Sequence, residues 1–283
     1  MYDPLGLLAP VILTGKILLQ GSWKEKSNWD APLSDDLRIS CDKWCEELRN
    51  HDTVRITRWI GCHPEQQLDL HLFTDASEKA LGCCIYVCGV STQQLIYAKT
   101  RVEPLKLQTI ARLELQAAYL GSKCLKFVCE ELRFRPKAIF AWTDSATVWH
   151  WLQKPAYEWI TWVANHVAFI LDVQLDFVVK WLHCPGQQNP ADVVSRGCPM
   201  NVLLSGTWFN GPPWMKNENQ WPAQLQLKMS GEVLQTVRHP SLFVNSMLVS
   251  NRWWERLSVW TRVVGLGARL LQCDWISNCE VSG

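Results

Sequence analysis

The 283-residue sequence has no C-x-x-C pair, no N-x-[ST] sequon, no low-complexity tract and almost no net charge. Each absence removes something. Without C-x-x-C there is no pair on which a zinc ribbon or thioredoxin-type site would be built. Without sequons the chain reads as intracellular. A charged fraction of 19% beside 48% hydrophobic residues argues for a folded core and against wholesale disorder. A formal charge of +1 argues against a protein that holds nucleic acid by blanket electrostatics. Long apolar runs are missing too. In MYDPLGLLAPVILTGKILLQ, Pro10 and Lys16 interrupt a stretch far short of the ~20 residues a spanning helix needs. No basic segment precedes it, as a secretory signal would require. The expectation is a packed piece of a neighbouring domain, with no membrane contact.

What is abundant is cysteine, at twelve, and tryptophan, at 17. Cys83, Cys84 and Cys88 fall in an apparent strand, and Cys124 and Cys129 in an apparent helix, so they read as buried reduced thiols. Trp142, Trp149, Trp151, Trp159, Trp162 and Trp181 sit at helix or strand periods and read as core, with base stacking as the other use of such rings. Charge is uneven locally. From Lys99 to Lys137 there are nine basic residues against four acids. That excess fits a solvated helix face or a stripe that follows phosphates.

Helical spacing of Leu37, Cys41, Trp44, Cys45 and Leu48 predicts a helix after Pro32 and Ser34. The period then changes. Leu68 to Asp75 alternates as a strand with one face well buried; Leu81 to Cys88 and Leu95 to Val102 follow as strands, turning at Gly89–Thr92. A helix from about Thr109 to Leu132 comes next, then a buried strand at Lys137–Asp144. Helices are expected at Ala146–Gln153 and Trp159–Leu171, a strand at Leu175–Leu182, a short helix near Asn189 and a last one at Arg252–Gln272. The order β-β-β-α-β-α-α-β-α implies an α/β fold: a mixed five-stranded sheet, three antiparallel strands followed by helix-linked parallel ones, with helices packed on it.

Four acids stand where the fold does not require them. Asp75 and Asp144 end strands, Glu114 lies one turn into the long helix, and Asp192 lies in the first turn of a short one. Taken singly, each reads as a turn or cap residue. Taken together at strand ends and helix starts, they suggest a site, because clustered carboxylates repel unless a cation joins them. Mg2+ is hard and oxygen-loving, and Mn2+ can substitute. Two such ions ~4 Å apart suit phosphodiester cleavage.

The residues around these acids carry a resemblance. LFTDAS, RLELQAA, WTDS and NPADVVSRG, in this order, resemble the four active-site motifs of ribonucleases H, and more narrowly those of BEL/Pao-type retrotransposon polyproteins. AKTRVEPLKLQTIARLELQAA and TWFNGPPWM are similar to the same class. YDPLGLLAPVILTGKILLQ and NWDAPLSDDL resemble its segment following the reverse transcriptase. The resemblance covers residues 1 to 222 and is fainter in RWWERLSVWTRVVGLGARLL, which resembles the stretch before the integrase. It divides the chain into a mainly helical segment at 1–62, a ribonuclease H-like domain at 63–200, and a linker with a helical segment at 201–283.

The resemblance implies hydrolysis of the RNA strand of RNA·DNA hybrids, with Asp75, Glu114, Asp144 and Asp192 as ligands of two Mg2+ ions. It implies a setting in the cytoplasm or virus-like particles, with the reverse transcriptase and integrase of the same polyprotein as partners. Ser77 and Ser145 adjoin the metal ligands and are candidates for substrate contact. His183 precedes Asp192 by nine residues, a spacing that resembles that of the family's proton-transferring histidine but is one residue shorter than in many relatives; a surface-loop histidine is the other reading. Arg196 either reaches a phosphate or pairs at its helix end. Integrases and transposases share this kind of fold but use a different acidic spacing. A catalytically inactive fragment serving as a nucleic-acid-binding or scaffold module is the alternative.

Overall fold

The computed structural model describes residues 3–25, 30–50, 54–56, 67–132, 134–224 and 231–237. These belong to a compact unit spanning Met1–Val237. The helix expected at Arg252–Gln272 lies outside the described residues.

Five strands form one sheet: β1 (Asp69–Ala76), β2 (Ala80–Cys88), β3 (Gln93–Val102), β4 (Ile139–Thr143) and β5 (Val179–His183), in the order β3-β2-β1-β4-β5. The first three are antiparallel neighbours, while β4 lies parallel to β1 and β5 parallel to β4. The expected mixed sheet is what forms. The helices are α1 (Ala9–Lys24), α2 (Asp35–Arg49), α3 (Ile110–Glu131), α4 (Ala146–Leu152), α5 (Thr161–Phe177), α6 (Asp192–Arg196), α7 (Met200–Ser205) and α8 (Gly231–Thr236). No helix among the described residues is long and apolar enough to cross a membrane.

Period-two alternation sends β1 side chains to two cores. Leu70 and Leu72 meet Leu113 and Ala117 of α3 and Val167 and Ile170 of α5 in the first core. Phe73 meets Trp142, Tyr86, Val194 and Trp208 in the second. Both faces are thus buried, where one was expected. Even His71 is fully buried, because α6, α7 and residues 207–221 cover the second face. Trp208, Trp214, Met215 and Trp221 pack there, so residues 201–221 are not the linker their Pro212–Pro213 and polar residues suggested. Aromatic anchoring, not periodicity, holds this stretch.

Two element boundaries are set by particular residues. Pro10 opens α1 instead of interrupting it, since a first-turn proline has no missing hydrogen bond. Glycine is required just before it. Gly6 adopts φ +72°, and a Cβ there would meet the Ala98 carbonyl oxygen at 1.7 Å. On the far side, α5 runs to Phe177, beyond Leu171. The Leu175–Val178 alternation imitates a strand, but Val167, Ile170 and Val173 continue one buried helical stripe. The helix stops at Val178, which takes the left-handed conformation at φ 54°.

The described cysteines are free; Cys83, Cys84, Cys88 and Cys124 are buried and Cys129 partly so. Trp142, Trp151, Trp159 and Trp181 are core residues. Truncating a buried tryptophan of this kind costs about 3–5 kcal/mol.

Candidate active site

Parallel pairing of β1 with β4 sets Thr74 opposite Thr143. The next residue on each side is Asp75 and Asp144, so two acids emerge at the same carboxyl end of the sheet. The two carboxyls stand close enough for the charge of Asp144 to bear on Asp75. Glu114 comes from α3, seven residues before Gly121, and therefore on the same helix face. Gly121 is where α3 presses on β1: a Cβ there would meet Thr74 Cγ2 at 2.6 Å. Asp75, Glu114 and Asp144 line one cavity of about 610 Å³, together with Ser77, Glu78, Lys79, Ile110 and Arg196.

Burial and mutual repulsion act on these acids together. Asp75 is only 6% exposed, and burial followed by the charge of Asp144 pushes its carboxyl up to about 7. Burial also pushes Glu114 up to about 7, against the opposing hydrogen bond of Ser145. Asp144 is raised in the same direction, chiefly by burial. Asp192, the first residue of α6, is half-exposed, ion-paired with Arg196, and close enough to repel Asp75 and Asp144.

Each carboxylate except Asp144 has a side-chain partner that is not acidic. Ser195 donates to Asp75, Ser145 donates to Glu114, and Arg196 donates to Asp192. Among the described residues, no three His, Cys, Asp or Glu side chains stand ready to hold a metal. The donor set nonetheless fits a hard cation: all oxygens, crowded, and including Asp144 Oδ1, which is buried with no hydrogen-bond partner.

Ser77 and Ser145 spend their hydroxyls inside the protein. Ser77 Oγ donates to the Ser195 carbonyl at 2.7 Å and accepts from the Lys79 and Ala80 amides. Ser145 Oγ caps α4 by accepting from the Val148 amide at 3.2 Å. His183 ends β5 beside Thr143, with its Nε2 3.1 Å from the Asp144 carbonyl oxygen. Its backbone amide and carbonyl are both held by the Gln224 side chain.

Two further residues build the site without a sequence signal of their own. Ser195 lies inside the NPADVVSRG motif and bonds Asp75. Asn189 stands by sequence at the start of a short helix, and its Nδ2 donates to the Thr74 carbonyl at 3.0 Å. The Asn-Pro pair at this position signals a turn, but it does not announce the buried amide that ties the loop to β1.

A family model described as the Pao retrotransposon-like RNaseH-like domain matches residues 1–145, just over half of the chain. No curated protein matches. Among solved structures, LC11-RNase H1 from compost, in complex with an RNA/DNA hybrid, is 13% identical with a TM-score of 0.35, over 45% of this chain and 93% of that one. RNase H1 from Halobacterium salinarum is 12% identical with a TM-score of 0.32, over 49% and 97%. The foamy viral protease-reverse transcriptase with dsDNA is 11% identical with a TM-score of 0.39, over 60% of this chain and 34% of that one.

Proposed function

The chain belongs to the Pao retrotransposon-like RNaseH-like domain family, and from that premise we propose that it hydrolyses the RNA strand of RNA·DNA hybrids with the help of divalent metal ions. The observation that carries this reading is the convergence of Asp75, Glu114 and Asp144 on one cavity from three separate segments, with Asp192 bordering it. A phosphodiester enters a surface cavity of this size readily, and the cluster of Asp75, Glu114 and Asp144 within it needs a cation to accept one.

Asp75, Glu114, Asp144 and Asp192 would hold Mg2+, or Mn2+ in its place. Bound there, the metal supplies an activated water and charge neutralisation at the leaving oxygen. The chain's own residues do the rest. Ser195 and Ser145 fix the orientation of Asp75 and Glu114, and Asn189 holds the Asp192 loop against β1. Lys79 and Arg196 place positive charge at the cavity rim, where a phosphate backbone would pass. His183, anchored beside Asp144, is positioned to move a proton at the cavity's edge. The reverse transcriptase and integrase of one polyprotein are the proposed partners.

A second reading has its own support. Asp75, Glu114 and Asp192 are engaged by Ser195, Ser145 and Arg196, as they would be in a nucleic-acid-binding module without turnover. One experiment separates the two. Purified protein is given a labelled hybrid with Mg2+ or Mn2+, beside the Asp144→Asn variant. Cleavage by the parent and none by the folded variant supports hydrolysis. Equal cleavage by both sinks the assignment, and binding without cleavage by the parent favours the second reading.

A further inference from the structure

The outer faces of α3 and α5, turned away from the sheet, share one continuous strip. On α3, Arg112, Tyr119 and Lys123 recur at seven and four residues, a single helical stripe. On α5, Trp162, His166 and Phe169 recur at four and three. Arg112 lies over the Trp162 ring at 5.0 Å, and Trp162 lies 4.2 Å from His166. His166 and Phe169 flank Tyr119 at 5.0 and 4.9 Å, and Lys123 caps Tyr119 at 4.5 Å. All four rings are partly exposed.

The sign of charge along this strip is uniform. From Thr109 to Lys126 and from Thr161 to Leu171 the only acid is Glu114, which lines the cavity. Glu130, Glu131, Asp172 and Asp176 lie beyond, toward the far ends of the helices. An ordinary solvated helix mixes its charges, as α2 does with Asp35 paired to Arg38. Among the described residues, neither Arg112 nor Lys123 has a carboxylate partner. A ring beneath a cation fixes where the charge sits without neutralising it.

We propose that this strip is a sequence-independent contact for the phosphodiester backbone of an RNA·DNA hybrid. Charge complementarity selects the ligand, and position selects the hybrid. Arg112 stands in the same turn of α3 as Glu114, so the strip begins at the helix that feeds the cavity. Arg112 and Lys123 are eleven residues apart, about 16 Å along the helix, which matches roughly five steps of a strand. The inference rests on the hydrolase reading only for the choice of ligand.

The test is anisotropy of a labelled hybrid in EDTA, over a salt series, with the parent and the Arg112→Gln/Lys123→Gln variant. Both positions are exposed, so glutamine should preserve the helix; circular dichroism checks this. Lys180→Gln, on β5, is the control. The double variant should bind at least tenfold more weakly at about 0.1 M salt, with the log–log salt slope reduced by about two, while Lys180→Gln behaves as the parent. Unchanged affinity and slope in the double variant, no hybrid binding by the parent, or equal competition by polyglutamate would overturn the strip. A parent that binds through these cations but never cleaves with Mg2+ removes the hydrolase reading and leaves the strip standing. A parent that cleaves while the double variant binds normally does the reverse.

Discussion

Ser195 donates its hydroxyl to the carboxylate of Asp75, joining α6 to the end of β1 across 120 positions of sequence. The same hydroxyl lies 3.0 Å from the Asp192 carbonyl oxygen, so one serine touches the segments of two acids. A hydrogen bond to a charged group contributes about 1.5–3 kcal/mol. Ser195→Ala should therefore raise the Mg2+ concentration for half-maximal hybrid cleavage by roughly tenfold, and Ser195→Thr should restore most of it. A magnesium titration of the three proteins decides, and an unmoved midpoint in the alanine variant would count against this role.

Metal and pH should trade against each other. In the metal-free fold Asp75 and Glu114 titrate near 7, well above unfolded carboxylates. Between those values the folded chain holds more protons on these two groups, so their contribution to metal-free stability is complete at low pH and declines as pH rises toward 7. Mg2+ needs the deprotonated carboxylates. Its stabilising effect should then be larger at pH 8 than at pH 5.5, read as the difference in Tm between magnesium and EDTA. Equal differences at the two pH values would contradict the assignment of these acids as ligands.

His71 should behave in the opposite direction. Burial lowers it to about 3, and Trp142 Nε1 donates to its Nδ1 at 3.1 Å, which holds it neutral. A depressed histidine contributes stability that is complete above about 6.5 and is lost as pH falls toward 3. Relative to a His71→Leu variant, the parent should lose roughly 3 kcal/mol between pH 7 and pH 4. Urea midpoints at both pH values measure it; parallel losses would show that His71 does not titrate on unfolding.

Gly121→Ala tests how closely α3 must approach β1. Alanine favours a helix by about 1 kcal/mol, but overpacking costs about 1–3 kcal/mol. With Thr74 Cγ2 at 2.6 Å and Leu72 at 3.2 Å from the new methyl, the clash should win. The variant should melt lower and cleave more slowly, because Glu114 rides on the displaced helix. A higher Tm with full activity would mean the helix has room to give.

Much of this architecture is legible in residue patterns. Alternation at Leu68–Asp75 and the stripe through Ile110, Leu113, Ala117, Leu120, Cys124 and Phe127 are local signals of burial; both elements formed where those signals lay, with Ile110 and Phe127 at the stripe's ends left exposed. Legibility failed where packing was not periodic. Trp214 and Trp221 sit among prolines and polar residues, so nothing local announced that they cover His71 and Trp142. At Leu175–Val178 a short alternation was truthful about hydrophobicity and wrong about period. The acids were readable because each ends or begins an element. Their serine and asparagine partners were not, because a hydroxyl or amide hydrogen bond leaves no mark on spacing.

The outer border of β3 has a consequence of its own. Its amides do not face open solvent: Ala98 donates to the Leu5 carbonyl and Leu95 to the Phe209 carbonyl, each at 2.8 Å. Trp208 Nε1 also donates to the Leu7 carbonyl at 2.8 Å, stitching those two coverings together. A fragment trimmed to the five strands and their helices, starting after Leu8 or stopping before Thr207, would bare a row of unpaired backbone donors and acceptors. Such an edge recruits strands from other molecules. Residues far from any chemistry thus act as the seam that keeps this sheet solitary, and fragments cut inside it should aggregate before they can be assayed.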